Sequence, residues 1–376
     1  MKKTLLATGI AISSCLIPLG ARAASFTGLN VFGDSLADAG NLFNLTDTLL
    51  SPLGLPGLPP SPPYDQKNSN GPIWIENVGD ALGLSPTLST DLLLNPTTTP
   101  PPTEGINFAF AGALSSDVHI LDDDIPFLAD FFPGFEDQIN AFSDLSTIIP
   151  VDPNALNVVW IGANDYNEAF FSQGASLGGL SIDQLPNFVT DNIIGGLSEL
   201  SSLGAQEFLV VNLPSIGDAP SADFLDAQTG LDISSQLNQL TFAHNELLSA
   251  KLDIFGQSQP DANIITLDIG SLFADILADP VAFGLTNTTE SCLINFEPGF
   301  VFDGICSNPS EFLFWDDTHP TTAAYEIISD FALAALDDSA PAASVPEPGS
   351  LIGLLTMGIL GSGTLLTKQK LSKRES

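Results

Sequence analysis

Two short segments near opposite ends of the chain supply residue types that could together perform nucleophilic catalysis. Ser35 follows an apolar run and Gly33, which lets the backbone turn sharply, whereas Asp316 and His319 lie three residues apart much later in the chain. A serine hydroxyl is a poor nucleophile until an imidazole accepts its proton, and the imidazole needs an acid to orient it. The two segments predict Ser35 as the nucleophile, His319 as the general base and Asp316 as the orienting acid.

Simpler structural interpretations exist for the same residue types. Ser35 could cap a helix that begins at Leu36, because serine is favoured at the N-cap position. The chain contains three histidines. His244 lies in a helical pattern and is interpreted as a helix-face residue, whereas His119 is interpreted as structural or as part of a loop. These interpretations leave His319 as the candidate for the base.

Four segments, in order along the chain, resemble the sequence blocks of one enzyme family. Gly33-Asp34-Ser35-Leu36 resembles the first block of the GDSL, or SGNH, family of serine esterases and lipases. Residues 107–113 resemble the second block, residues 162–165 the third, and residues 316–319 the fifth. Residues 314–321 are similar to the FWD..HPT form of bacterial and plant lipase-like members. The resemblance covers roughly residues 26–336, and the ordered set of blocks is much more specific than one block alone.

The resemblance implies a role for each residue of the site. It selects Asp316 rather than its neighbour Asp317, because the family places the acid three residues before the histidine. It also implies an oxyanion hole formed by the backbone N–H groups of Ser35 and Gly112 and the side-chain amide of Asn164. Gly112 could instead be a small packing residue, and Asn164 could be an ordinary turn asparagine.

Two further residues of the first block, Asp34 and Asn41, are interpreted as support for the turn. The family usually has an arginine after this block, where residues 66–68 here read Gln-Lys-Asn. This departure puts the ionic role of that arginine in doubt without affecting the predicted triad.

Apolar runs alternate with helix-like patterns, as is typical of a parallel sheet covered on both faces. Strands are predicted at residues 29–32, 156–161, 207–213 and 262–268, and helices at residues 185–203 and 233–255. The proline-rich stretches 51–63 and 95–103 are predicted to be surface loops bordering the site. Ser35 and Asn164 each follow a predicted strand, and ligands of open parallel sheets bind beyond the carboxyl ends of the strands. The family resemblance implies a flavodoxin-like three-layer α/β/α sandwich with a mainly parallel central sheet.

The two ends of the chain predict an exported protein with three segments. Residues 1–24 have the basic, apolar and small-residue regions of a signal peptide, although Cys15 leaves open a lipoprotein interpretation. Residues 25–340 are predicted to form the hydrolase domain. Residues 341–376 resemble a PEP-CTERM sorting signal, with an apolar run and a basic tail. The expected processing partners are a signal peptidase and an exosortase-type enzyme; a permanent anchor in the membrane is the alternative for the tail.

Charge and cysteine usage restrict the partners and the compartment. Of the 45 acidic residues all but Glu347 and Glu375 lie in the predicted domain, whereas only Lys67 and Lys251 of the nine basic residues do. Such a surface repels nucleic acid and anionic membranes, and it suits an exterior where counterions screen the charge. Without Cys15 one pair of cysteines remains, Cys292 and Cys306, and a disulfide between them or two buried thiols are both consistent with the sequence. No cysteine or histidine spacing suggests a metal site.

Together these features predict an exported serine hydrolase that cleaves carboxylic esters through an acyl-enzyme intermediate, with no metal or organic cofactor. Acyl esters of lipids are the default substrates and acetylated polysaccharides the next. Residues 53–63 and 127–135 could line an acyl pocket or serve as core or lid. The alternative is a surface protein that binds carbohydrate on an esterase fold. The sequence leaves the oligomeric state and the acyl chain length open.

Overall fold

A parallel sheet lies at the centre of the computed structural model, which describes residues 26–122, 128–171, 179–297 and 299–339. Its six strands are β1 (Leu29–Gly33), β2 (Thr87–Leu88), β3 (Ile106–Asn107), β4 (Leu156–Trp160), β5 (Glu207–Val211) and β6 (Asn263–Leu267). They are arranged in the order β2-β3-β1-β4-β5-β6, and every neighbouring pair is parallel. This sheet with its flanking helices confirms the predicted three-layer α/β/α class.

The central strands are buried along their whole length, which explains their continuous apolar sequences. All five residues of β1 and all five of β4 are buried, and the two strands pair in register, with Val31 opposite Val158. A strand covered on both faces cannot alternate apolar with polar residues, so it is recognised as a short apolar run. The four predicted strands are confirmed with bounds shifted by one or two residues.

Ten α-helices connect and cover the strands in the described part of the chain. They are α1 (Asn41–Leu50), α2 (Trp74–Leu82), α3 (Ser89–Leu94), α4 (Phe135–Ser146), α5 (Ala163–Phe171), α6 (Leu185–Ser202), α7 (Pro220–Thr229), α8 (Ile233–Ser258), α9 (Ile269–Ala278) and α10 (Thr322–Ser339). The predicted helices correspond to α6 and α8. The helix after Ser35 begins only at Asn41, so Ser35 lies in the preceding turn and does not cap a helix.

A small disulfide-linked hairpin adjoins the main sheet. Strands β7 (Asn287–Ser291) and β10 (Phe312–Phe314) pair in parallel, and β8 (Leu293–Ile294) and β9 (Gly304–Ile305) form an antiparallel pair. Cys292 and Cys306 are joined by a disulfide, and Cys292 packs with Tyr64 and Trp315 in a separate apolar cluster. Cys292 and Leu293 donate their backbone N–H groups to Phe314 and Trp315, so the start of the hairpin is held beside the segment that contains Asp316.

The two proline-rich stretches have different positions relative to Ser35. Apart from a 3-10 turn at Ser51–Leu53, residues 51–63 form no helix or strand, and Leu58 lines the same groove as Ser35. Of the stretch 95–103, Pro102 and Thr103 lie beside Gly28 at the amino end of β1, so the prediction that the stretch borders the site is wrong for these two residues. The reason is topological: β3 is parallel to β1 and begins at Ile106, so the chain must first return to the amino edge of the sheet.

Several predictions concern segments beyond the described residues. The signal peptide at residues 1–24 and the sorting signal at residues 341–376 both lie outside them, as does Phe127. Within the described ranges no helix combines the length and apolar character needed to cross a membrane.

Candidate active site

The turn after β1 places Ser35 at the carboxyl edge of the sheet, where the strand order reverses direction. A Cβ atom on Gly33 would lie 2.2 Å from the carbonyl oxygen of Trp160 on β4, so only glycine permits this approach. The side chain of Gln138 on α4 accepts a hydrogen bond from Gly33 N–H and donates one to Gly33 C=O, each at 2.8 Å. The backbone that presents Ser35 is thus fixed by β4 on one side and α4 on the other.

His319 reaches Ser35 from a tight loop between β10 and α10. The distance from His319 Nε2 to Ser35 Oγ is 2.8 Å. The loop is closed by a 2.7 Å hydrogen bond from Trp315 N–H to His319 C=O, and Phe314 forms a bridge with Pro320. This closure brings the ring to the serine although the two residues are 284 positions apart.

Asp316 orients the imidazole through its other nitrogen. The distances from His319 Nδ1 to the two carboxylate oxygens of Asp316 are 2.8 and 2.9 Å. Oδ1 also accepts the backbone N–H groups of Thr318 and His319, and Oδ2 accepts the hydroxyl of Tyr64 at 2.8 Å. Because a carboxylate can only accept here, Nδ1 carries the proton and Nε2 is free to accept one from Ser35.

Asp317 occupies a different position, as the sequence blocks imply. Its backbone carbonyl accepts the N–H of Ser221, and its Oδ1 accepts the hydroxyl of Thr318 at 3.3 Å. The structure therefore brings Ser35, His319 and Asp316 into one hydrogen-bonded chain and leaves Asp317 beside it.

Burial and neighbouring charges act in opposite directions on the titration of this group. Burial alone would raise the pKa of Asp316, but the charge and hydrogen bonds of His319 hold that pKa below its ordinary value. Burial lowers the pKa of His319, whereas the carboxylates of Asp316, Asp317 and Asp34 raise it, and the raising effect dominates. The imidazole is therefore a stronger base than a free histidine.

Two carboxylates next to the triad titrate near neutral pH. Burial raises the pKa of Asp34 to about 7, and burial together with the charge of Asp316 raises the pKa of Asp317 to about 7. Asp34 Oδ1 accepts the N–H of Leu36, which stabilises the turn as the sequence predicts.

Gly112 and Asn164 line the same groove as Ser35 and His319. Gly112 has φ +94°, and a Cβ atom there would lie 2.7 Å from the ring of His119, so the position requires glycine. Asn164, at the start of α5, donates one amide hydrogen to Ala113 C=O at 3.0 Å. Its second amide hydrogen remains available for a bound oxygen atom. The structure thus places the three residues predicted to form the oxyanion hole, Ser35, Gly112 and Asn164, in the lining of one groove.

Asp38 and Asn41 connect the serine turn to the loop that carries Gly112. Asp38 accepts the backbone N–H groups of Gly40, Leu42 and Ala111. Asn41 donates to the carbonyls of Asn107 and Ala109, both at 2.9 Å. The side-chain contacts of Asn41 lie at the end of β3 and at Thr90 of α3, so the predicted support of the serine turn by Asn41 stays a prediction.

Three residues with close contacts to this site were missed by the sequence reasoning: Gln138, Tyr64 and His119. Gln138 is a polar residue on the buried face of α4, between Phe135 and Ile139, and that break in the apolar pattern is a usable signal. Tyr64 and His119 have no such signal, because neither lies in a periodic apolar pattern that its partner, Asp316 or Ala111, would interrupt.

Two cavities meet at Ser35. The first is narrow, about 40 Å³, and its apolar lining includes Trp160, Ile216 and Phe273 together with Ser35 and Asn164. The second is an open groove of about 390 Å³ whose lining includes His319 and Gly112. Of residues 53–63, which were predicted to line an acyl pocket or to serve as core or lid, Leu58 lines this open groove.

The stretch around Phe132 is core rather than pocket wall. Phe132 and Phe135 are buried, and Phe132 stacks on the ring of His119. The other histidine, His244, is buried on α8 and lies with Nδ1 2.9 Å from the hydroxyl of Tyr166. In the part of the chain covered by the structure, no group of three or more histidine, cysteine or acidic side chains could hold a metal ion.

Comparison with known proteins gives the same class as the fold and the site. The model of the GDSL-like Lipase/Acylhydrolase family matches residues 29–331. A GDSL esterase/lipase of Arabidopsis thaliana is 28% identical over 373 residues, covering 86% of this chain and 90% of the relative. A phosphatidylcholine-sterol acyltransferase of Aeromonas hydrophila is 25% identical over 360 residues, covering 83% and 91%. Among solved structures, an acetylxylan esterase from Geobacillus stearothermophilus overlaps with a TM-score of 0.38 at 12% identity, covering 83% of this chain and 95% of that one.

The fold and site define an α/β hydrolytic enzyme with its groove at the carboxyl edge of a parallel sheet. The chain belongs to the GDSL-like lipase/acylhydrolase family and is a carboxylic ester hydrolase. Membership of this family favours the predicted hydrolase over the alternative, a surface protein that binds carbohydrate.

Proposed function

We propose that this hydrolase cleaves esters by double displacement, with Ser35 as the nucleophile and His319 and Asp316 as its base and orienting acid. The observation that supports this most directly is the continuous chain from Asp316 through His319 to Ser35 Oγ, with each link at 2.8 Å. A nucleophile within hydrogen-bond reach of a base, which is itself oriented by a third group, is the general arrangement for activating serine.

In the first half-reaction Ser35 Oγ attacks the ester carbonyl while its proton passes to His319 Nε2. The tetrahedral intermediate collapses as His319 returns this proton to the leaving alcohol oxygen, and the acyl group remains on Ser35. In the second half-reaction His319 takes a proton from the water that attacks the acyl carbonyl, and it then donates this proton to Ser35 Oγ as the bond to Ser35 breaks and the carboxylic acid leaves. Asp316 stabilises the imidazolium in both halves without accepting a proton itself.

Negative charge on the carbonyl oxygen would be stabilised by Ser35 N–H, Gly112 N–H and the free amide hydrogen of Asn164. Hydrogen bonds hold the segments that carry these donors. Gln138 bonds the backbone before Ser35, Asp38 bonds the backbone before Gly112, and Asn164 itself bonds Ala113. Donors that already point at the developing charge need no reorganisation during the reaction, and removing one typically costs about 10²–10³ in turnover.

The two cavities would separate the acyl from the alcohol portion of the ester. His319 must protonate the leaving alcohol, so that portion belongs in the open groove, of which His319 forms part of the wall. The acyl chain then enters the narrow cavity on the other side of Ser35, lined by Leu36, Phe273 and Leu277. Its volume of about 40 Å³ suits a short acyl chain better than the long chains that were the default expectation.

We place the enzyme outside the cytoplasm, with export directed by residues 1–24 and sorting by residues 341–376. The support is the sequence of these ends and the disulfide between Cys292 and Cys306, a bond that persists in oxidising compartments. Mass spectrometry of the protein recovered from its natural host tests both segments. Intact N- and C-terminal peptides on the exported form would contradict the processing.

The chemical proposal is tested by hydrolysis of p-nitrophenyl acetate, butyrate, octanoate and palmitate with Ser35→Ala as control. We expect the highest kcat/KM for acetate or butyrate and its loss in Ser35→Ala. Equal rates in both proteins would contradict the role of Ser35. Faster hydrolysis of octanoate or palmitate would contradict the acyl assignment alone.

A further inference from the structure

The side chain of His119 holds the peptide group between Ala111 and Gly112 in place. Its Nε2 lies 2.7 Å from Ala111 C=O, and its Nδ1 accepts the backbone N–H of Leu121 at 3.0 Å. Since Nδ1 is an acceptor, the ring proton is on Nε2 and is donated to Ala111. From the sequence His119 was interpreted as a structural or loop residue, and the proposed mechanism does not use it.

The direction of Gly112 N–H depends on this hydrogen bond. In a trans peptide the C=O of one residue and the N–H of the next lie in one plane and point in opposite directions. A donor that fixes Ala111 C=O therefore also fixes Gly112 N–H, directing it away from the His119 ring. The next peptide is held as well, because Ile120 N–H donates to Gly112 C=O at 3.0 Å.

The surroundings of His119 keep its ring in one position and one protonation state. The ring stacks on Phe132 with centroids 5.0 Å apart and meets Phe110 edge-on at 5.6 Å. The side chain is buried, and this burial lowers the pKa of His119 to about 4. The imidazole is therefore neutral at working pH and remains an Nε2 donor throughout.

Ala111 is held from both sides by these contacts. Its N–H donates to Asp38 at 2.8 Å while its C=O accepts from His119, so the segment leading into Gly112 has little freedom to rotate. The absence of a Cβ atom on Gly112 leaves the space that the His119 ring fills, since a Cβ atom there would lie 2.7 Å from the ring.

We propose that His119 is a positioning residue of the oxyanion hole, which sets the direction of Gly112 N–H through the Ala111 carbonyl. This inference rests on the proposed function, because it requires Gly112 N–H to stabilise the tetrahedral intermediate. An ordinary core histidine would contribute to stability only. A positioning residue also affects the transition state, and this difference can be measured.

The test compares His119→Phe and His119→Gln with the unaltered protein. Phenylalanine keeps a buried ring without the donor, whereas the amide of glutamine can still donate to Ala111. Phe132→Leu is the matched control, because it removes the stacked ring and leaves the hydrogen bond in place. His119→Leu replaces the phenylalanine variant if that protein does not fold.

Three quantities are measured for each variant: kcat and KM for p-nitrophenyl acetate, the inhibition constant of an alkylboronic acid, and the thermal midpoint. The boronic acid forms a tetrahedral adduct with Ser35 and so reports on the oxyanion hole. We expect His119→Phe to lower kcat by about 10- to 100-fold, part of the effect of removing a donor, with KM nearly unchanged. Boronate binding weakens by a similar factor, and His119→Gln recovers most of both losses.

Phe132→Leu is expected to lower the thermal midpoint while kcat and boronate binding change little. An unchanged kcat in His119→Phe, or a fall in kcat without weaker boronate binding, overturns the inference. Loss of activity in Phe132→Leu equal to that in His119→Phe overturns it too, because packing would then suffice. Ser35→Ala is run alongside: wild-type rates in that variant would overturn the proposed function itself, whereas an inactive Ser35→Ala with a fully active His119→Phe overturns only this inference.

Discussion

At the scale of single residues, the charges around His319 determine when it can act as a base. The pKa of His319 is lowered by burial but raised more by Asp316, Asp317 and Asp34. The ring must be neutral to accept the proton of Ser35, so activity is lost as the pH falls through this pKa. A raised pKa moves that loss to higher pH.

The first prediction is therefore an acidic limb of kcat/KM with its midpoint above pH 6.5, the ordinary value for histidine. Asp317→Asn removes one of the charges that raise the pKa, so its limb should move to lower pH. Steady-state rates between about pH 5 and pH 9 provide the measurement. A midpoint below 6.5, or a limb that Asp317→Asn shifts upwards, would contradict the assignment of His319.

Tyr64 adds a second prediction, because its hydroxyl donates to Asp316 Oδ2. This bond takes up part of the carboxylate charge, so Tyr64→Phe leaves Asp316 attracting the His319 proton more strongly. We expect the acidic limb to rise by a few tenths of a pH unit and kcat to fall about 3- to 10-fold, because only part of the about 1.5–3 kcal/mol that a hydrogen bond to a charged group contributes is lost in the transition state.

Phe300→Leu is the control for Tyr64, because it removes the edge-on ring contact and keeps the hydroxyl. It should leave the limb in place. An identical pH profile in Tyr64→Phe and the unaltered protein would show that the hydroxyl does not influence Asp316.

The sequence predicted the residues that bear the chemistry and missed those that hold them. Ser35, Asp316 and His319 lie in segments that resemble the family's sequence blocks, and this resemblance identified them. Tyr64 is 252 residues from Asp316 and Gln138 is 105 residues from Gly33. Such contacts exist only once the chain is folded, and neither partner has a periodic pattern that indicates the other.

At the scale of elements, the disulfide-linked hairpin forms its own short antiparallel pair outside the main sheet and contributes to the wall of the groove. Cys292 and Cys306 close a loop with a sequence separation of 14. Phe296 and Phe300, within that loop, form part of the groove wall. The disulfide therefore affects both the stability of the protein and the shape of the open groove proposed to hold the alcohol portion of the ester.

The third prediction is that replacing both Cys292 and Cys306 by serine lowers the free energy of unfolding by about 3 kcal/mol in the chain-entropy model. Urea unfolding followed by fluorescence measures the difference. A reductant should lower the midpoint of the unaltered protein in the same way and leave that of the double variant unchanged. Equal midpoints for the two oxidised proteins would rule out a stabilising bond.

Elements with a strong periodic or apolar pattern were predicted well, whereas short elements were not. The strands β1, β4, β5 and β6 are five-residue, mostly apolar segments, but β2 and β3 have only two residues each and offer no pattern. Because β3 could not be predicted, the sequence did not show that the chain returns to the amino edge of the sheet before this strand. For this reason the whole of residues 95–103 was predicted to border the site.

At the scale of the whole molecule, the surface is strongly acidic and has few cations to balance it. The described residues contain two lysines and no arginine, and both lysines are already in ion pairs, Lys67 with Glu76 and Lys251 with Asp191. Repulsion among the many carboxylates that remain opposes the compact state, and dissolved ions screen it.

The fourth prediction is that the thermal midpoint rises between about 0.05 M and about 1 M NaCl, because the Debye length shortens to about 3 Å. Differential scanning calorimetry measures it. Choline chloride should act similarly, which distinguishes screening from specific binding of sodium. A midpoint in low salt no lower than in molar salt would contradict adaptation to a salty exterior.

The most direct test of the central claim is mass spectrometry of the protein after reaction with a p-nitrophenyl alkylphosphonate, which traps an activated serine as a stable adduct. The fifth prediction is one phosphonate per chain, located on Ser35, with simultaneous loss of esterase activity. Ser35→Ala should remain unlabelled, and His319→Ala should react far more slowly. A label on another residue with Ser35 unmodified, or a Ser35→Ala variant that is labelled and hydrolyses esters at the wild-type rate, would contradict the catalytic role of Ser35.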